Sequence, residues 1–187
     1  MKCTKAATAW IVAFTVVLGA AAVGVRGAAG TSVAPWITFK SETEHLSVLM
    51  PGTPQAREKH NKSFVGDITT VEHSAKEGLD TYTVDYTTLP GFAISFSGTD
   101  GIYDHAKNAV LKDTISKPLS YTDITLSGVT GKKLVYDTPT KPGHPEMQGE
   151  AQFFLVGKHL YTIDAVVEMK GADEKLAHFF SSLEISK

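Results

Sequence analysis

Two acidic residues lie inside strand-like segments and are the first candidates for chemistry. Asp85 interrupts the alternating run 82–87, and Asp164 interrupts the apolar run 159–167. A buried carboxylate is costly unless it is paired, and such groups are enriched at functional sites, where they act as acids, bases or ligands. The alternative is a solvent-facing or helix-edge row beside threonines, which is more common for aspartate. We therefore assign neither residue, nor any other, to a catalytic, cofactor-binding or metal site, and we expect no cofactor.

Histidines are the next candidates, because imidazole ligates metals and transfers protons. None of the seven stands in an HxH or HExxH pair, so the spacing favours isolated surface or loop residues over a metal site. The sequence also lacks a G-x-S-x-G nucleophile turn, and Ser95–Gly98 is better interpreted as the end of a strand. The histidines are His45, His60, His73, His105, His144, His159 and His178.

The composition is that of a globular protein with enough apolar residues for a core. The 187 residues are 42% hydrophobic and 20% charged, which excludes collagen-like, coiled-coil and wholly disordered chains. Cys3 is the only cysteine and stands near the start of the chain. The remainder therefore has no disulfide, cysteine-ligated metal or thiol nucleophile available.

The first residues have the pattern of an export signal. Lys2 and Lys5 precede the uncharged segment Ala6–Val25, and small residues follow. A positively charged N-terminal region, an apolar segment and small residues at a cleavage site are typical of a secretory signal peptide. We predict a leader over 1–29 and a linker over 30–35, and a periplasmic or extracellular location. An uncleaved membrane anchor is the alternative, because about 20 apolar residues can span a bilayer.

The charge of the exported part bears on its partners. Cleavage after Ala29 would remove Lys2, Lys5 and Arg26, which leaves 15 basic residues against 20 acidic ones. A net negative domain is a poor ligand for nucleic acid or an anionic membrane. We therefore expect a protein partner, no nucleic acid, and membrane contact only through an uncleaved N-terminal segment. The oligomeric state is not predicted.

Residues 36–187 are predicted to form one α+β domain with a mainly antiparallel sheet flanked by two helices. Short strands are expected at 36–40, 46–50, 64–75, 121–126 and 129–136, with alternation at 82–87. Ala151–Val156 and His159–Val167 flank Gly157-Lys158, a two-residue loop suited to a type II′ hairpin. One face of the second strand is expected to carry residues 161, 163, 165 and 167.

Two segments change to a helical period. Ile102, Tyr103, Ala106, Ala109 and Val110 fall on one stripe of a predicted helix at 100–116. The second predicted helix covers 172–183, where Leu176, Phe179, Phe180 and Leu183 form an apolar stripe. Both helices must lie on the sheet to bury these stripes.

Two surface features are candidates for contacts. The segment Asp137–Met147 has three prolines and is predicted to be a loop; loops of this kind can carry recognition, or they can be plain connectors. Lys132-Lys133 is a small basic pair that we interpret as a solvated strand edge.

Two stretches resemble the PsbP-like family of small exported proteins. WITFKSETEHLSVLMPGTP (Trp36–Pro54) is similar to the opening strands and Pro-Gly-x-Pro turn of that family, although Glu44-His45 stands where a glycine is common. FFLVGKHLYTIDAVV (Phe153–Val167) and FFSSLEI (Phe179–Ile185) resemble its closing hairpin and helix.

The resemblance implies an α/β/α sandwich and a mostly non-enzymatic role. Members of the family include extrinsic subunits that dock on photosystem II. Their metal-related residues have no recognisable counterparts here, so no site residue is carried over. The leading hypothesis is an exported, non-catalytic protein-binding or accessory domain. The alternatives are a carrier with a pocket between sheet and helix, or a small envelope hydrolase whose carboxylates and histidines converge in the fold.

Overall fold

The computed structural model describes residues 35–63, 66–139 and 142–186. These residues contain ten strands and two helices. The predicted leader, most of the predicted linker and Cys3 lie outside the described residues. In chain order the elements are β1 (Trp36–Ser41), β2 (Leu46–Pro51), β3 (Gln55–Ser63), β4 (Gly66–Glu77), β5 (Asp80–Thr88), α1 (Ala93–Thr114), β6 (Lys117–Leu126), β7 (Val129–Asp137), β8 (Met147–Val156), β9 (His159–Glu168), α2 (Ala172–Ser181) and β10 (Glu184–Ile185).

Strands β3 to β9 form one antiparallel sheet in the order β3-β4-β5-β9-β8-β7-β6. Adjacent strands of this sheet are also consecutive in the chain, except β5 and β9. The pairing of β5 with β9 places Asp85 opposite Thr162 and Thr83 opposite Asp164. Strands β1, β2 and β10 form a separate antiparallel sheet. The predicted α+β class with a mainly antiparallel sheet is confirmed.

Each face of the large sheet has its own hydrophobic layer. Tyr82, Val84 and Ile163 are fully buried on the face that packs against α2 and β2. Leu134 and Phe153 are fully buried on the opposite face, against α1. Burying a large apolar side chain contributes roughly 1.5–3 kcal/mol, so both helices are held by their apolar stripes, as the sandwich prediction requires.

Helix α1 begins at Ala93, earlier than predicted, and is broken at Gly98. Gly98 has φ 67° and ψ 168°, a conformation that glycine adopts without the steric cost of a β-carbon. Ser95–Gly98 therefore belongs to the helical region, and the predicted strand end is wrong. The segment before the break is too short to display a helical period, and no side chain caps its start.

Two strands have no counterpart in the sequence prediction. β3 carries charges along its length and forms an edge of the large sheet, where charged residues discourage pairing with other chains. Its lack of apolar alternation hides it from pattern analysis. β10 has only two residues, and it is fixed by its pairing with β2, a contact distant in sequence.

The predicted β8–β9 hairpin is present, and its turn is formed by Gly157 with φ 60°. Tyr161, Ile163, Ala165 and Val167 share one buried face, as the alternation predicts. Asp137 ends β7 and Met147 begins β8, so the proline-rich segment is a connection between strands. Within the described residues, neither helix is long and apolar enough to cross a membrane.

Candidate functional site

A cavity of about 420 Å³ lies between α1 and the face of the large sheet formed by β3, β4, β5 and β9. Helix α1 packs on β7 and β8, beside this region. The cavity therefore follows the edge of the helix along the sheet. Its volume is within the range of about 300–1,000 Å³ that is usual for small-molecule sites.

The wall contributed by α1 is mostly aliphatic, although polar residues of the helix also line it. Ile102, Ala106, Ala109 and Val110 line it, and their spacing places them on one side of the helix. The small side chains of Ala106 and Ala109 leave the space that bulkier residues would occupy. The predicted apolar stripe of this helix is thus divided between the cavity and the core, where Tyr103 is buried.

The floor contributed by the sheet is polar. The hydroxyls of Thr70 and Thr87 form a hydrogen bond of 2.8 Å across β4 and β5, and Thr162 is buried on β9. Asp85 and Thr87 face α1 because successive strand residues alternate between the two faces. The odd-numbered row of β5 therefore carries hydroxyls and a carboxylate, whereas Val84 belongs to the opposite core.

Asp85 is a partly buried carboxylate in this floor. Its Oδ1 atom is buried and has no hydrogen-bond partner among the described residues. Burial is the main cause that raises the pKa of Asp85 from 3.8 to about 6; Lys59 lowers the pKa, and Glu72 and Asp113 raise it further. At neutral pH Asp85 is therefore mostly ionised and lacks a donor for one of its oxygens.

The lysine that lines the cavity is already paired. The Lys59 ammonium donates to the Glu72 carboxylate across β3 and β4, and no ion pair joins it to Asp85 in the described part of the chain. The other ionisable lining residues are Asp113 and His105, both exposed on α1. With Lys59 balanced by Glu72, two carboxylates without a paired cation face the cavity.

Asp164 lies on the same face as Asp85 but outside the cavity. The Tyr136 hydroxyl donates a hydrogen bond of 2.6 Å to Asp164 Oδ1. Burial raises the pKa of Asp164 to about 7, although this hydrogen bond lowers it and the charge of Asp85 raises it. Gly149, opposite Tyr136 on β8, allows the close approach of the phenol ring, because a β-carbon there would lie 2.1 Å from ring atoms.

The structure places both acidic residues on the α1 side of the sheet. Asp85 lies in a row with threonines at the edge of the helix, as the alternative interpretation expected, and Asp164 is hydrogen-bonded to Tyr136. The sequence could not reveal which face of β5 and β9 a helix would cover. No hydrogen bond joins the two carboxylates to each other or either of them to a histidine in the described ranges.

The histidines are dispersed, and the described residues contain no group of three or more potential ligands that could hold a metal ion. His105 is the histidine that lines the cavity. His178 contacts Trp36 edge-on, with ring centroids 4.6 Å apart. His144 is exposed in the connection before β8.

His73 and Glu44 form a buried hydrogen-bonded pair that sequence analysis missed. The Nε2 atom of His73 lies 2.9 and 2.8 Å from the two carboxylate oxygens of Glu44, on the face opposite the cavity. The Tyr161 hydroxyl also donates to the Glu44 carbonyl at 2.8 Å. The neighbouring His45 has φ 55°, a left-handed conformation that glycine adopts more readily than other residues.

Lys132 and Lys133, predicted to form a solvated strand edge, instead form ion pairs on opposite faces of the sheet. Lys132 contacts Asp123 at 2.5 Å. Lys133 contacts the buried Glu150 at 2.9 Å. Neither lysine is a free basic patch.

Comparison with known proteins defines the fold class. The chain matches the solution structure of cyanobacterial PsbP (CyanoP) from Synechocystis sp. PCC 6803 with a TM-score of 0.54 and 13% sequence identity, over 88% of this chain and 99% of that one. No family model and no curated protein matches the sequence. The molecule therefore has a PsbP-like α+β fold, as the resemblance in sequence implied.

Two further solved structures are more distant. A protein of unknown function from Pseudomonas aeruginosa has 8% identity and a TM-score of 0.37, over 76% of this chain and 90% of that one. A protein from Bacteroides thetaiotaomicron has 11% identity and a TM-score of 0.46, over 80% of this chain and 48% of that one. Neither adds evidence on function.

Proposed function

We propose that this chain is a non-catalytic accessory domain that binds a small molecule in the cavity beneath α1. The observation that carries the proposal is the combination of a mostly aliphatic helix wall with a partly buried carboxylate, Asp85, whose Oδ1 has no partner among the described residues. Small-molecule sites usually combine an apolar lining with few polar groups that fix orientation. This corresponds to the carrier alternative of the sequence analysis.

Binding is favoured over hydrolysis by the arrangement of the polar groups. A hydrolase of this kind needs a nucleophile or an activated water held by a base within hydrogen-bond reach. Asp85 forms no hydrogen bond with Ser97 or His105, which also line the cavity, among the described contacts. The floor can orient a ligand through its hydroxyls and carboxylate without any further group.

A cavity-filling variant tests this function. Ala109→Trp places a large side chain in the cavity from an exposed position, and Asn108→Trp is the matched control on the adjacent exposed position outside the lining. We expect the wild type and Asn108→Trp to bind the neutral apolar dye N-phenyl-1-naphthylamine, measured by fluorescence, and Ala109→Trp to lose binding. Equal dye binding by all three proteins would contradict the location of the site.

A second candidate function is docking to a partner protein. Phe92 and Phe96 are 55% and 73% exposed at the start of α1, and exposed aromatic residues are typical interface anchors. The double variant Phe92→Ser/Phe96→Ser should lose a partner that both the wild type and a Leu119→Ser control retain in affinity capture. Equal recovery by all three proteins would exclude this surface.

We further propose that the domain is exported and that residues 1–29 are its leader. The support is the charge and hydropathy pattern of that segment. Intact mass of the protein from envelope fractions tests it. A mature chain that begins near residue 23 or 30 would agree with cleavage, whereas a full-length mass would indicate a retained anchor.

A further inference from the structure

We propose that the ligand of the cavity is an organic ammonium ion with an aliphatic body, whose charged head binds the Asp85 carboxylate. This inference rests on the proposed function and adds the chemical class of the ligand. Three observations carry it: the charges around the cavity, the unpartnered oxygen, and the aliphatic wall.

The charges select a cation. Lys59 is the lysine of the lining, and its charge is balanced by Glu72. Asp85 and Asp113 then remain as carboxylates that face the cavity without a paired cation. An anionic ligand would meet these charges with no unpaired lysine or arginine in the described lining to offset them, and like charges at close range are unfavourable. An ammonium ion would instead complete an ion pair.

The unpartnered oxygen defines where the head binds. Asp85 Oδ1 is buried without a donor, and an ionised buried carboxylate is stabilised most by a charged donor. An ammonium head has three N–H donors. Besides Oδ1, the hydroxyl oxygens of Thr87 and Thr162 line the same floor and can accept the remaining protons.

The wall defines the body. Ile102, Ala106 and Val110 from α1 and Leu160 from β9 are aliphatic, and the described lining contains no Phe, Tyr or Trp. Burial of an alkyl chain is favourable by about 0.8 kcal/mol per methylene group, so an unbranched or alicyclic amine suits this surface.

The test compares three probes that differ only in the head group. Hexylammonium chloride, 1-hexanol and sodium hexanoate are titrated by calorimetry at pH 7.5 into the full domain, into Asp85→Asn, and into the matched control Asp164→Asn. Asp164 is a buried carboxylate on the same face, but it already has Tyr136 as partner and does not line the cavity.

We expect the wild type to bind hexylammonium at least about tenfold more tightly than the other two probes, because only this head carries a positive charge and can form an ion pair with the Asp85 carboxylate. Asp85→Asn should lose at least about tenfold in amine affinity, without a change for hexanol. Asp164→Asn should remain within about threefold of the wild type.

A measurement on the wild type covers the case in which Asp85→Asn does not fold. Amine affinity should fall as the pH decreases through about 6, where Asp85 becomes protonated, and His105→Gln should show the same fall. This control removes the histidine of the lining. The charged and titratable groups around Asp85 are Lys59 on β3, Glu72 and His73 on β4, Asp113 and His105 on α1, and Asp164 on β9.

The outcomes separate the two proposals. Equal affinity of the three probes, or an unchanged amine affinity in Asp85→Asn, would overturn the ammonium inference and leave the proposed binding function intact. Failure of every probe and of N-phenyl-1-naphthylamine to bind would overturn both.

Discussion

Replacement of Asp85 by asparagine should make the domain more stable, which is unusual for a substitution at a partly buried polar position. Asp85 is held near the apolar wall of α1 with an oxygen that has no donor. Asparagine has nearly the same shape and carries no charge, so the variant avoids burying an ionised group.

The magnitude follows from the pKa of Asp85. Folding raises this pKa from 3.8 to about 6, mainly through burial. The folded state thus binds the proton more tightly than the unfolded state, and stability falls as the pH rises from about 4 to about 6. Each pKa unit corresponds to about 1.4 kcal/mol, so the ionised carboxylate costs about 3 kcal/mol above pH 6.

The assay is urea unfolding of the wild type and Asp85→Asn at pH 4 and pH 8. We expect the difference in unfolding free energy to shift in favour of the variant by about 2.5 kcal/mol between these two pH values, because the carboxyl group of the unfolded chain is already partly ionised at pH 4. Asp164 also has a raised pKa, to which the charge of Asp85 contributes, so the variant also removes this repulsion at pH 8. Asp123→Asn, at an exposed carboxylate paired with Lys132, should show no such gain. A free-energy difference independent of pH would refute the reasoning.

Three further substitutions test how the surrounding residues are held. Tyr136→Phe removes the donor to Asp164, which should cost about 1.5–3 kcal/mol at pH 8 and less at pH 5, where Asp164 is protonated; an equal loss at both pH values in urea unfolding would contradict this. Gly149→Ala places a β-carbon against the Tyr136 ring and should cost about 1–3 kcal/mol in thermal or urea unfolding, whereas Gly91→Ala, with no atom within 4 Å, should be near neutral. His73→Ala leaves the buried Glu44 side chain without its ring partner and should cost about 1–3 kcal/mol by urea unfolding at pH 7; a loss no larger than that of the exposed control His60→Ala would show that the pair contributes little.

The elements that could be predicted are those whose pattern is local. The alternation at Tyr82, Val84 and Tyr86 and the Gly157-Lys158 turn carry their own signals, and both were confirmed by the fold. β3 could not be predicted, because an edge strand rich in charges has no apolar period. The break at Gly98 divided α1 into segments, of which only the longer showed a helical stripe.

The candidate site depends on contacts that no local pattern records. Asp85 stood out in the sequence as a carboxylate within a strand, but its burial depends on where α1 lies over the sheet. The pairing of β5 with β9 brings Asp85 opposite Thr162, far away in the chain. Glu72 balances the charge of Lys59, the lysine beside the cavity. This ion pair depends on β3, the strand that pattern analysis did not detect.

The most direct test of the central claim is the titration of the Asp85 carboxyl carbon by NMR, with and without hexylammonium. The account predicts a pKa of about 6 in the free protein and a clear decrease when the amine is bound, because a bound cation stabilises the ionised carboxylate. A pKa of Asp85 that does not change at saturating amine, or that lies near 3.8 in the free protein, would contradict it.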